Sequence, residues 1–190
     1  MVEPIPEFNS DGLLPPDDYD MTLVELKDSI LVRGPENREQ VPNWDDAWRL
    51  WLVEQLEVMA KQLWQIGIDE IFVDGSFVED KEHPNDIDGY FVCSLHDLAS
   101  GKLERELNLL DPQKVWTWNP ATRRPYAGYP KEQLPMWHTY RVELYPHVTG
   151  LISGIQDEHG NELEFPAAFR RSRRDGRPRG IVKLIQERKS

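Results

Sequence analysis

Apolar side chains recur along this chain at two periods. Between Asn43 and Gln65, the residues Trp44, Trp48, Trp51, Leu52, Leu56, Met59, Ala60 and Leu63 follow helical spacing. They lay one continuous stripe along a helix. Asn43 or Asp45 stands where the N-cap belongs, and Gly67 stands where the helix must end. Two short runs rich in β-branched and aromatic residues, Ile71-Phe72-Val73 and Tyr90-Phe91-Val92-Cys93, read as strands, separated by turn residues at Asp74-Gly75-Ser76 and Pro84-Asn85. A third strand is expected over Tyr140 to Tyr145. Thr22, with Glu25 three residues on, forms a capping box for a short helix reaching Val32, and Leu23, Leu26 and Ile30 supply its apolar face. Leu95 to Leu110 reads as a helix that Gly101 weakens and splits. Val115 to Trp118 is a strand candidate, and the amphipathic segment Ile181 to Lys189 is expected to be helical.

These elements divide the chain in two. Residues 1–43, rich in proline, glycine and acid, read as an extended N-terminal arm with one short helix, packed over the core or engaging a protein partner. Residues 44–190 read as the main domain with a basic C-terminal segment. The order of helices and strands predicts an α/β (α+β) protein, a small mixed β-sheet with helices packed on it.

Composition narrows the picture. No stretch reaches the length of an apolar membrane span, so no membrane association is expected. The start lacks a basic region followed by an apolar run, so no secretory leader is expected either. A single cysteine, Cys93, excludes an internal disulfide framework and agrees with a reducing, cytoplasmic setting. At the end of an apolar run it reads as a small buried hydrophobe. The net charge of −12 argues against a generally basic nucleic-acid surface. The charge is uneven, however. Met1 to Asp46 holds 12 acidic and 3 basic residues, whereas Arg170 to Ser190 holds 9 basic and 2 acidic. Six of those arginines fall between Arg170 and Arg179, and arginine suits forked phosphate contacts. Arg173, Arg174 and Arg177 are therefore candidate contacts to phosphate or to an acceptor. The alternative is that the acidic start and basic end meet each other in the fold.

The chemistry concentrates between Ile71 and Cys93. On a strand, Asp86 and Asp88 point to one face and Ile87 to the other. Two adjacent carboxylates repel, and a divalent cation relieves that repulsion. Mg²⁺ suits such a pair because it binds a few carboxylates and keeps positions for water and phosphate. Upstream, Gly75-Ser76 offers backbone N–H groups and a hydroxyl to a phosphate. Lys81, in the intervening loop, adds a cation. The basic and aromatic loop with Arg123, Arg124, Tyr126, Tyr129 and Lys131 is either a solvated surface or a contact for a base or acceptor. His147 is a candidate general base, with a structural role as the alternative. There are no internal repeats, no GxxxxGK[ST] phosphate loop and no zinc-spaced Cys/His set.

Gly-Ser, nine loop residues (Phe77 to Asn85) and then Asp86-x-Asp88 on a strand resembles the minimal nucleotidyltransferase superfamily with the DNA polymerase β-like core. The wording GSF, DID and VELYPH resembles its small prokaryotic members. The likeness covers roughly Asp45 to His147. It implies a third acid, for which Glu143 is the candidate in place of the more usual aspartate. It further implies that Asp86, Asp88 and Glu143 hold Mg²⁺ (or Mn²⁺) and are catalytic, while Gly75, Ser76 and Lys81 bind the nucleotide. The implied reaction moves an NMP from an NTP, ATP included, to a hydroxyl on RNA or protein, in a setting such as a toxin–antitoxin or phage-defence pair. Two rivals stay open: a DxD glycosyltransferase using the same carboxylates, and a non-catalytic nucleotide- or partner-binding protein on the same fold.

Overall fold

The computed structural model of the protein describes residues 5–187. Its frame is a mixed five-stranded sheet in the order β1-β7-β2-β3-β4, formed by β1 (Asp18–Met21), β2 (Ile71–Asp74), β3 (Ile87–Val92), β4 (Val142–His147) and β7 (Ile181–Leu184). β2 runs antiparallel to both β3 and β7, and β3 runs parallel to β4. A two-stranded hairpin, β5 (Ile155–Gln156) with β6 (Glu162–Leu163), stands apart. The α/β architecture expected from the pattern is the one observed.

The helices are α1 (Leu23–Asp28), α2 (Ile30–Arg33), α3 (Asp46–Gln65), α4 (Leu95–Ala99), α5 (Lys102–Leu110), α6 (Pro135–Tyr140) and α7 (Phe165–Phe169). The stripe on α3 buries Leu52, Leu56, Met59, Ala60 and Leu63 completely against Ile71, Val73, Phe91 and Val142. Asp45 is its N-cap, accepting from the Trp48 N–H at 2.9 Å. The Thr22–Glu25 capping box forms as expected, with Ser29 breaking the segment into α1 and α2. Gly101, at φ +69°, separates α4 from α5. Cys93 is buried, which pushes its thiol up to about 11.

Three expectations fail. Residues 5–43 are not an arm laid over the core. β1 is an edge strand of the main sheet, and Leu14, Leu26 and Leu31 are fully buried in the main core. Prolines and acids dominate this segment and hide the few leucines that do the packing. Ile181–Leu184 form β7, not a helix, because they lie between β1 and β2 and supply backbone partners to both, and residues 188 and 189 of the expected helix lie outside the described residues. Val115 to Trp118 forms no strand. Val115 and Trp116 are buried individually instead, with Asn108 hydrogen-bonding both backbone groups of Trp116.

One side chain ties the helical layer to the loop after β2. Arg49 on α3 is fully buried and donates to the carbonyls of Leu31 (2.5 Å), Phe77 (2.8 Å), Glu79 (3.0 Å) and Lys81 (2.7 Å). Its guanidinium lies over the Trp44 ring, 3.9 Å from the centroid. Removing it orphans several buried acceptors at once. Arg49→Met is expected to cost about 3 kcal/mol of unfolding free energy. Urea unfolding checks this, and a loss under about 1 kcal/mol would contradict a fastening role.

Candidate functional site

The candidate site lies where β2, β3 and β4 run side by side. Register puts Asp74 opposite Asp88, and Asp88 opposite Glu143. Asp86 immediately precedes β3. Ile87 is fully buried, so the strand alternation aims its two neighbours away from the core, as expected. Asp86, Asp88 and Glu143 all line one cavity of about 1220 Å³, together with Gly75, Ser76 and Lys81. The sequence candidates are thus brought together.

Gly75 is required by this geometry. It opens a 3₁₀ turn over Gly75–Val78 at φ +78°. A Cβ placed on it would lie 2.8 Å from Asp88 Oδ2 and 3.1 Å from Asp88 Cβ. A side chain here would meet both backbone strain and a collision with the carboxylate. Ser76 is half-buried on the cavity wall, and its hydroxyl has no hydrogen-bond partner among the described residues.

The carboxylates differ in what they touch. Asp88 accepts no hydrogen bond among the described residues, and burial together with Asp86 pushes it up to about 8. Asp86 Oδ2 accepts from Trp137 Nε1 on α6 at 2.7 Å, and burial raises its pKa, with Glu143 adding to the rise. Glu143 is buried and engaged on both oxygens. Oε1 accepts from the Leu134 N–H at 3.0 Å and has Arg123 Nη1 at 3.6 Å, while Oε2 accepts from the Tyr145 hydroxyl. Among the described residues, no three His, Cys, Asp or Glu side chains are grouped closely enough to hold a metal ion as they lie. Asp88, which accepts no hydrogen bond among the described residues, and Asp86, with one oxygen on Trp137, fit a hard divalent cation by donor type and by the burial and carboxylate repulsion that raise both. Glu143 fits as a third ligand only after giving up one of its present donors.

Below the pair lies a buried charge cluster that sequence reasoning missed. Asp74 is fully buried and pushed up to about 7 by that burial. Arg179, also buried, has Nη2 2.6 Å from Asp74 Oδ1, outside good hydrogen-bond geometry. Its Nη1 pairs with Glu79 and donates to the Gly75 carbonyl at 3.1 Å. The only advance signal was the arginine run itself.

Most of that run is spent inside the molecule. Arg170 pairs with Asp18 (2.6 Å), Arg171 with Glu158 (2.8 Å), Arg174 with Asp80 (3.0 Å) and Glu79 (3.1 Å), and Arg177 with Asp11. The acidic start and basic end therefore do meet. Arg173 makes no ion pair among the described residues. It lines the cavity, and its charge favours the ionised forms of Asp74, Asp86 and Asp88. Arg123, Tyr129 and Lys131 from the basic loop line the opposite wall, whereas Tyr126 packs edge-on against Trp137. His147 is not at the cavity. It is buried edge-on to Tyr90, 3.4 Å from Glu164, and burial lowers its pKa. It packs among the rings of Tyr90 and Phe165, away from the candidate carboxylates.

Residues 6–185 match a family of unknown function, DUF6932, and the chain belongs to that family. No curated protein and no solved structure matches it.

Crowded carboxylates weaken a fold while they lack a counter-ion. The unfolded chain releases the Asp74 and Asp88 protons near the ordinary value of 3.8, whereas the folded chain holds them to about 7 and about 8. Stability of the metal-free protein therefore falls as pH rises through that window. At about pH 8, Asp88→Asn is expected to be more stable than wild type by about 1 kcal/mol or more, with the gap closing near about pH 4. Urea unfolding at the two pH values checks this. A wild type as stable as the variant at the higher pH would contradict it.

Proposed function

We propose that this protein is a metal-dependent nucleotidyltransferase of the minimal, DNA polymerase β-like kind, moving an NMP from an NTP to an acceptor hydroxyl. The observation that carries the reading is the crowded pair Asp86 and Asp88 in the lining of a large cavity, with Gly75 stripped of a side chain beside Asp88. Asp86 and Asp88 would hold Mg²⁺ or Mn²⁺, with Glu143 as the third candidate one strand over. When bound, the metal would neutralise the triphosphate and lower the pKa of the acceptor hydroxyl.

The chain's own groups do the rest. Ser76 Oγ and the turn at Gly75 receive phosphate oxygens. Lys81 and Arg173, both exposed on the cavity wall, balance the triphosphate charge. The acceptor oxygen forms a bond to the α-phosphorus, the bond from that phosphorus to its bridging oxygen breaks, and pyrophosphate leaves. Catalysis of this kind is positioning and charge stabilisation. Trp137 orients Asp86, and Tyr145 and Arg123 orient Glu143. Five of the six clustered arginines are paired internally, so the cluster between Arg170 and Arg179 keeps little free charge for RNA, which favours a protein hydroxyl as acceptor. A toxin–antitoxin or phage-defence setting suits such a modification.

The occupied oxygens of Glu143 favour one other reading, a nucleotide-binding protein on the same fold that performs no transfer. Incubation with each α-labelled NTP, Mg²⁺ and cell lysate separates the two. Wild type is expected to label a macromolecule, and Asp86→Asn to lose about 100-fold or more of that rate while staying folded. Metal–NTP binding without label transfer would favour the binding protein. Label transfer at the wild-type rate by Asp86→Asn would remove the carboxylate pair from the chemistry.

A further inference from the structure

The cavity has two chemically different ends. Around Asp86 and Asp88 its wall is charged and polar. The end formed by α7, β5 and the outer part of β4 is apolar, built from Phe165, Phe169, Ile155 and Tyr145. Phe165 is stacked between Tyr145 (centroids 5.8 Å apart, 21° between planes) and Phe169 (5.4 Å, 14°). The stack continues from Phe169 through Tyr90 to Phe72. Five rings in a row make a rigid wall. Phe169 is buried, whereas Phe165 keeps part of its surface open to the cavity. An apolar ring left open in a cavity that is otherwise ionic suits a flat apolar group on a ligand whose other end is anionic.

Ser153 also lines the cavity, between β4 and β5 in the chain. Its Oγ donates to the Leu163 carbonyl at 2.6 Å and accepts from the Ile155 N–H at 3.1 Å, so it is already satisfied. Among the described residues, Phe165, Phe169 and Ile155 therefore offer this end apolar surface, and Ser153 has no hydrogen-bonding capacity left for a base edge. Volume agrees, since a cavity of about 1220 Å³ exceeds what a triphosphate at the carboxylate end occupies.

We infer that the apolar end of the cavity, formed by the exposed part of Phe165 with Tyr145 and Ile155, is the nucleobase subsite of this protein, and that it holds bases by apolar contact without selecting among them. The inference rests on the nucleotide reading proposed above and adds the location and the selectivity of base binding. Apolar contact is tolerant because every base brings apolar ring area to bury. Purines, with more area, are expected to bind somewhat more tightly than pyrimidines.

The test is calorimetric titration of the full chain with Mg²⁺ and the α,β-methylene analogues of ATP, GTP, CTP and UTP, using inorganic tripolyphosphate as a probe without a base. Wild type is expected to bind the four analogues within about tenfold of one another, and each about ten- to a hundredfold more tightly than tripolyphosphate. Phe165→Ala is expected to bring the analogues down towards tripolyphosphate and leave tripolyphosphate itself unchanged, while Phe165→Trp restores them. Ile155→Ser, on the separate hairpin, is expected to give a smaller loss of the same kind, and it carries the test if Phe165→Ala does not fold. Equal binding of analogues and tripolyphosphate by wild type would overturn the subsite and leave the nucleotide reading standing. A preference for one base above about a hundredfold would overturn the account of tolerant apolar contact. Failure of all five probes to bind would overturn both readings.

Discussion

Four carboxylates at the ends of three adjacent strands, with one buried arginine beside them, set the terms for this fold. Asp74, Asp86, Asp88 and Glu143 crowd together because β2, β3 and β4 are in register at their ends. Nothing in chain connectivity demands acids at those positions, and their burial costs stability. Arg179 offsets part of that cost from below by meeting Asp74, Glu79 and the Gly75 carbonyl. It comes from the residues just before β7, so insertion of β7 between β1 and β2 delivers the counter-charge. The charge balance of the site and the topology of the sheet are one problem with one solution.

The site is also braced from outside the sheet. Arg49 on α3 holds four backbone carbonyls, three of them in the loop that leads from the Gly75-Ser76 turn to Lys81. Trp137 on α6 reaches Asp86, and Trp48 donates to the Pro84 carbonyl at 2.6 Å, where the loop returns to β3. Long polar loops between strands are ordinarily mobile. Here each end is fastened by a large side chain from a helix, which keeps the turn and the carboxylates in fixed relation.

Local patterns carried much of this in advance. The α3 stripe, the capping box at Thr22, the break at Gly101 and the facing of Asp86 and Asp88 all follow from rules spanning a few residues. What escaped depends on distant partners. Ile181 to Lys189 reads as an amphipathic helix, and only the open slot between β1 and β2 makes Ile181 to Leu184 a strand. The N-terminal segment reads as an arm because its leucines are sparse, yet Leu14, Leu26 and Leu31 reach the common core. Arg49 and Arg179 look like surface charges in any local window. Their burial is set by carbonyls and carboxylates contributed from elsewhere in the chain. The occupied state of Glu143 was equally hidden, since Leu134 and Arg123 lie on a separate loop.

The central claim is that Asp86 and Asp88 form a cation site shaped for a triphosphate. Crystals grown with Mn²⁺ and a non-hydrolysable NTP test it most directly, through the anomalous signal of the metal. The account predicts a manganese peak bonded to both carboxylates at about 2.1–2.2 Å, close to the Mg²⁺–oxygen distance, with phosphate oxygens against Ser76. A peak elsewhere, or ordered nucleotide without metal on this pair, would contradict it.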